Sequence, residues 1–137
     1  RDAHPMRRLL GIARDRRGAA VIEMAFALPA LVVMIWAIVQ LGLVFRAMSG
    51  IQHALGEGAR FATIYPQPDN DAIEAKITDA VYGIGPGTFQ IKDPVAGSAD
   101  GSAYLDLEVT YTQATDLLII PGPTITVSRS KRVWVAN

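Results

Sequence analysis

Residues 25–45 read AFALPALVVMIWAIVQLGLVF and carry no charged side chain. As an α-helix this run extends roughly 32 Å, against a hydrocarbon core of about 30 Å in a bilayer. Its twelve Leu, Ile, Val and Phe side chains favour insertion by on the order of 4–7 kcal/mol, at about 0.3–0.6 kcal/mol each. Including the residues just before the run, we predict a transmembrane helix over 19–45.

A cleavable secretory signal is the main alternative for an apolar segment of this kind. Such signals have an apolar core of about 7–15 residues, followed by a small-x-small cleavage site. The present run is longer and ends in Leu43-Val44-Phe45-Arg46, which is a poor cleavage context. We therefore expect the helix to remain in the membrane as an anchor.

Two residues interrupt the apolar character of the predicted helix. Glu23 is the only charge between Ala19 and Phe45, and ionisable groups at membrane depth are costly and usually functional. Pro29 removes one intrahelical hydrogen bond, which neighbouring groups can compensate in a membrane helix. We predict a mild kink at Pro29; a hinge used during assembly is the alternative.

The formal net charge of zero conceals an uneven distribution along the chain. Residues 1–18 carry six arginines against two aspartates, and residues 47–137 carry six basic against ten acidic side chains. An excess of Arg and Lys beside an apolar segment marks the cytoplasmic side, so the N-terminus is predicted inside and the C-terminus outside. The acidic outer part argues against nucleic acid as a partner.

Residues 46–137 are predicted to form an α+β domain. Apolar residues at helical spacing after Arg46 extend the membrane helix over 46–64, ending before Pro66. A second helix is expected over 71–81, with Asp69 or Asn70 as its N-cap.

From residue 88 to residue 135 the apolar period changes to two, which predicts strands. We expect a short strand over 88–92, a loop over 94–101 that turns at Asp100-Gly101, a half-buried strand over 103–112 and a last strand after Pro123. The strands would form a small antiparallel sheet on the outer half of the long helix. The apolar connection 117–120 is either buried or an exposed patch for a partner or a membrane surface.

The sequence offers no set of residues for catalysis. It contains no cysteine, which excludes disulfides, thiolate metal sites and a cysteine nucleophile. Asp69, Asp71 and Glu74 cluster without the spacing of a calcium loop, and His4 and His53 would lie on opposite sides of the membrane. We therefore expect no enzyme activity, no metal, no cofactor and no small-molecule substrate.

The segment that begins at Arg16-Arg17-Gly18 resembles the processing site of type IV prepilins. More closely, GAAVIEMAFALPALVV and LVFRAMSGIQHALGEGARFAT are similar to the TadE-like family, pseudopilins of the tight-adherence (Flp) pilus system. The Ala-Leu-Pro in the membrane helix and the Gly-Glu-Gly-Ala-Arg-Phe after it carry the likeness. Met24 stands where an aromatic residue is common, and the tail from Leu105 to Val135 is similar only in style.

The resemblance implies a pilin-like fold and a role for each matching residue. Residues 1–18 would be a basic cytoplasmic leader, held at the membrane face by Arg16 and Arg17. A prepilin peptidase would cut between Gly18 and Ala19. Glu23 would then pair with the new amine of Ala19 on a neighbouring subunit.

By this resemblance the chain would be a minor pseudopilin-like structural component of Flp-type pili or the related secretion machine. It would lie in the bacterial inner membrane, with its C-terminal domain in the periplasm. Its partners would be the peptidase, other pilins and pseudopilins, the inner-membrane assembly platform and membrane lipid. A signal-anchored periplasmic binding module, whose helix serves only as a tether, is the alternative; a membrane-associated enzyme is a more remote one.

Overall fold

The computed structural model describes the backbone of residues 16–135 and the side chains of residues 18–135. Residues 1–15, most of the predicted leader, lie outside the described part. The order of elements is two helices followed by three strands: α1 (Arg16–Ala62), α2 (Asn70–Ala80), β1 (Thr88–Ala99), β2 (Ser102–Asp116) and β3 (Pro121–Val135). The strands are antiparallel, which confirms the α+β fold class.

Helix α1 contributes to two compact units, the first ending at Trp36 and the second beginning at Ala37. In the first unit, every residue from Gly18 to Val32 is exposed. In the second unit, α1 supplies one side of the hydrophobic core. The buried α1 residues there recur at helical spacing and include Val44, Ala47, Met48, Ile51, Ala54, Leu55, Ala59 and Ala62.

Helix α2 packs against the same core through Ile73 and Ile77, both fully buried. The Asp69 side chain accepts a hydrogen bond from the backbone N–H of Ala72 at 2.8 Å, which makes Asp69 the N-cap. This contact satisfies one of the free N–H groups at the start of a helix. The predicted short second helix and its cap are therefore present.

The sheet is a meander with β2 at its centre, in the order β1-β2-β3. Along β2, alternate side chains are buried against the helices: Leu105, Leu107, Val109, Tyr111 and Gln113. Asp100 and Gly101 join β1 to β2 with positive φ angles of 53° and 78°. This is the two-residue turn that suits the right-handed twist of a hairpin, and it lies where the sequence predicted it.

The predicted loop over 94–101 is wrong, because β1 continues to Ala99. The pairing with β2 shifts register between Lys92 and Val95, so Asp93 and Pro94 form a bulge. Proline donates no hydrogen bond to a neighbouring strand and is tolerated at bulges and on edge strands. Here Pro94 satisfies both conditions, and the strand resumes after it.

Two glycines of α1 have opposite roles in packing, although both weaken an isolated helix. A Cβ atom at Gly50 would overlap the backbone carbonyl of Tyr82, whereas at Gly56 the nearest atom would be Lys131 Nζ at 4.0 Å. We expect Gly50→Ala to destabilise the second unit by roughly 1–3 kcal/mol through overpacking. Gly56→Ala is expected to stabilise it by about 0.5–1 kcal/mol through helix propensity.

Denaturant unfolding of the full chain in detergent measures this difference. In a Trp36→Phe background, Trp134 on β3 reports on the sheet alone, since the chain has two tryptophans. Equal midpoints for the two glycine variants would contradict the close approach at Gly50.

Stability of the α2–β1 contact is expected to depend on pH. Burial, followed by the nearby carboxylates of Asp93 and Asp71, raises the pKa of Glu74 above its ordinary value. An acid with a raised pKa stabilises the fold when protonated, and this contribution is lost as the pH rises through the folded-state pKa. We expect Glu74→Gln to be more stable than wild type at neutral pH, with the difference disappearing below about pH 4.

The same unfolding assay, repeated across this pH range, checks the prediction. Asp100→Asn is a suitable control because Asp100 is an exposed acid in the turn, where asparagine tolerates positive φ. A Glu74→Gln advantage that persists unchanged at low pH would show that ionisation is not its cause.

Candidate functional site: the helix around Gly18 and Glu23

Gly18 lies in the first turn of α1, which begins at Arg16. It is exposed, and a Cβ atom built at this position would meet no atom within 4 Å. The peptide bond to Ala19 is therefore open to approach from outside, and glycine presents no side chain to obstruct it. The backbone on both sides of this bond is helical.

Ala19 and Glu23 lie four residues apart on the same face of α1, about 6 Å along the helix axis. Both are exposed. The three ion pairs within residues 18–135 are Glu57–Arg60, Lys92–Glu108 and Asp106–Arg132. Glu23 takes part in none of them, so its carboxylate is available to a group on another molecule.

The predicted basic residues Arg16 and Arg17 form the first two positions of α1. Their side chains are outside the described part of the structure, as is the leader sequence before them. Because the backbone is helical from Arg16 onward, the helix runs without a break through the predicted boundary between the leader and the membrane segment.

Pro29 lies within α1, and the helix is unbroken across it. Around it the large apolar side chains are exposed, with Phe26 at 77% of its full accessible area. An exposed apolar surface of this extent is typical of contact with a membrane or with another protein. By length and composition, α1 could cross a membrane from Gly18 onward, which agrees with a membrane-anchored protein.

The family model described as TadE-like protein matches residues 18–60. This segment is TadE-like. The match begins at Gly18 and covers both the apolar part of α1 and the part of α1 that contributes to the hydrophobic core. No curated protein and no solved structure gives a significant match to the chain.

The TadE-like match confirms the family suggested by the sequence motifs. It indicates a role in assembly of Tad/Flp pili and, in general terms, an interaction with components of that system. The TadE-like segment contains Gly18, Ala19, Glu23 and Pro29, whereas Arg16 and Arg17 lie just before the matched region.

One polar contact of the TadE-like segment was not predicted. Gln40, inside the charge-free run, is buried and pairs with the backbone of Asp116 at the end of β2. Its side-chain amide donates to the Asp116 carbonyl, and its oxygen accepts from the Asp116 N–H at 3.3 Å. Gln40 is the only side-chain amide between Ala25 and Phe45. A lone amide in an apolar run was the feature of the sequence that could have indicated a buried polar contact.

The outward face of the sheet carries a second group of charges. The guanidinium of Arg132 donates twice to the Asp106 carboxylate at 2.7 Å and lies 3.9 Å from the Tyr104 ring centre. The hydrogen bonds from Arg132 lower the pKa of Asp106. These groups are solvent-accessible and mutually paired across strands, as expected for a polar sheet face.

Within residues 18–135, no group of three His, Asp or Glu side chains is arranged to hold a metal ion. The carboxylates of Asp71 and Asp93 lie near Glu74 and disfavour its charged form. The candidate site therefore consists of the exposed Gly18–Ala19 bond, the acid at Glu23 and the exposed apolar surface of α1.

Proposed function

We propose that this chain is a minor pseudopilin-like structural component in the assembly of Flp-type pili or the related secretion machinery. The observation that carries the proposal is the exposed Gly18, at the start of a TadE-like apolar helix, followed five residues later by an acid that forms no ion pair within residues 18–135. The chain itself performs no chemistry; it is the substrate of a prepilin peptidase and afterwards a packing partner.

The charge distribution supports the proposed placement in the membrane. Helix residues 19–45 anchor the protein in the bacterial inner membrane, with the arginine-rich residues 1–18 on the cytoplasmic side. Residues 46–137, which contain the sheet, lie in the periplasm. The arginine excess of residues 1–18 sets this orientation, because a long domain crosses the membrane largely regardless of its own charge.

Processing is hydrolysis of the peptide bond between Gly18 and Ala19. Water adds to the Gly18 carbonyl, the C–N bond breaks, and the leader leaves with a carboxylate on Gly18 while Ala19 gains a free amine. Because this bond is helical, the peptidase must first unwind the local turn. Glycine lowers that cost by about 1 kcal/mol relative to alanine.

The new amine gives Glu23 a partner of opposite charge. At membrane depth an unpaired carboxylate is unfavourable, whereas a paired and hydrogen-bonded one is tolerated. Since Glu23 and Ala19 are one helical turn apart, the carboxylate of one subunit meets the Ala19 amine of the next when parallel helices are staggered by about one turn. The pair thereby sets the axial register of packed subunits.

Replacement of residues 19–45 by an unrelated transmembrane helix tests whether the membrane segment does more than tether the domain. We expect the chimera to insert but to lose pilus assembly in a strain that lacks the natural protein. A second chimera that restores Glu23 alone, at its original position, controls for loss of the acid. Full assembly by the first chimera would favour the alternative, a tethered periplasmic interaction module.

A further inference from the structure

The connection between β2 and β3 exposes three consecutive aliphatic side chains. Leu118, Ile119 and Ile120 are 49%, 79% and 57% exposed. Isolated exposed apolar residues are ordinary on protein surfaces, whereas contiguous apolar patches mark interaction sites. The structure thus decides between the two predictions for this segment: it is exposed rather than buried.

Two hydrogen bonds order the backbone of this loop, residues 117–120. The Leu117 N–H donates to the Ile120 carbonyl at 3.0 Å, and the Leu118 N–H donates to the Asp116 carboxylate at 2.8 Å. Pro121, which follows the loop, has no N–H to satisfy. These contacts reduce the number of free backbone N–H and C=O groups, which oppose the placement of a loop in hydrocarbon.

Leu118 adopts a left-handed conformation, with φ at 71°. This region is unfavourable for a residue with a Cβ atom, and glycine or asparagine is the ordinary occupant. An exposed leucine at such a position gains nothing from the core. The unfavourable backbone conformation of Leu118 therefore suggests that its exposed side chain has a function.

The base of the loop is fixed against the charge-free part of α1. Gln40 binds the backbone of Asp116, and Leu41 and Leu117 share with Ile125 the lining of an apolar cleft of about 160 Å³. At this level α1 also exposes Ile38 and Phe45. Leu41 is itself half exposed, so the loop begins beside apolar surface of the helix.

We propose that loop 117–120 inserts into the periplasmic leaflet of the membrane beside α1, as a second hydrophobic contact with lipid. The proposal rests on the membrane anchoring proposed above. Acyl chains are the occupant that fits, because the loop presents aliphatic groups without charge, next to helix surface that itself faces lipid. The Asp116 carboxylate, at the base of the loop, then lies at the level of the polar headgroups.

Single-cysteine labelling tests this contact, since the natural chain contains no cysteine. An environment-sensitive fluorophore is placed on Ile119→Cys, Leu31→Cys or Ser102→Cys of the full chain in phosphatidylcholine–phosphatidylglycerol vesicles. Lipids bearing a nitroxide on the upper acyl chain serve as quenchers. Leu31 lies in the charge-free run, and Ser102 begins β2 beside the Asp100-Gly101 turn, at the end of that strand away from the loop.

We expect a blue shift and strong quenching at positions 119 and 31, and neither at 102. Leu118→Asn or Ile120→Asn in the Ile119→Cys protein is expected to reduce the quenching at 119 while leaving the unfolding midpoint unchanged. Quenching at 31 without quenching at 119 overturns the loop insertion and leaves the anchor intact, whereas loss at both positions overturns the anchor as well. A blue shift at 119 without quenching means that protein covers the loop, and it also overturns the proposal.

Discussion

A Gly18→Val variant is expected to accumulate in the membrane with its leader attached. Valine places a branched side chain at the bond to be cut and blocks close approach to the backbone. It also holds the local turn in helix more firmly than glycine does. The variant is co-expressed with the cognate prepilin peptidase, and the mass of the intact protein is measured. We expect nearly all molecules to retain the leader.

Gly42→Val is the matched control for this experiment. Gly18 and Gly42 lie in the same helix, and a Cβ atom at either position meets no atom within 4 Å. A Cβ atom is therefore accommodated at both positions, and only Gly18 lies at the proposed processing site. Equal processing of the two variants would remove Gly18 from the proposed site.

A Glu23→Gln variant is expected to be processed normally and then to fail in assembly. The amide keeps the size of the carboxylate but cannot neutralise the Ala19 amine of the neighbouring subunit. Loss of one partner of a buried charge pair costs roughly 2–5 kcal/mol, which is about 30-fold or more in an association constant. Cross-linking in membranes and pilus yield in a complemented strain measure the loss.

Two properties separate this effect from a general defect. Glu23 is exposed in the subunit and takes part in none of the ion pairs of residues 18–135. We therefore expect the unfolding midpoint of the second unit to remain unchanged. Glu57→Gln, which removes the surface partner of Arg60 at 3.2 Å, is expected to assemble normally because exposed pairs contribute little. Wild-type assembly by Glu23→Gln would remove the charge-pairing role.

Much of the fold follows from patterns that act over short stretches of chain. The uncharged run over 25–45 predicts the long helix, the alternation over 103–112 predicts the central strand, and Asp100-Gly101 predicts the hairpin turn. Each of these signals arises from local sterics or from the period of apolar residues. The structure confirms all three elements, with β2 extending to Asp116.

What the sequence did not predict depends on contacts between distant residues. Pro94 looked like the start of a loop, but pairing with β2 carries the strand past it through a bulge. Gly50 and Gly56 look alike in sequence, yet only Gly50 lies against the Tyr82 carbonyl. Gln40 finds its partner 76 residues away, a separation at which local patterns carry no information.

The candidate site follows a similar division. The placement of Gly18 and Ala19 in one helical turn, with Glu23 one turn later, follows directly from their spacing. The exposure of loop 117–120 does not, since an apolar tetrapeptide between two strands is compatible with either burial or exposure. The position of this loop depends on the end of β2 at Asp116 and on the hydrogen bonds between Asp116 and Gln40.

The N-terminal residue of the mature protein, determined by sequencing material purified from the membranes of the native host, tests the central claim most directly. Both the assembly role of Glu23 and the register of packed helices require a free amine on Ala19. We expect the mature chain to begin at Ala19. Recovery of a chain that still contains Arg17-Gly18 would contradict the account and leave a domain tethered to the membrane by α1.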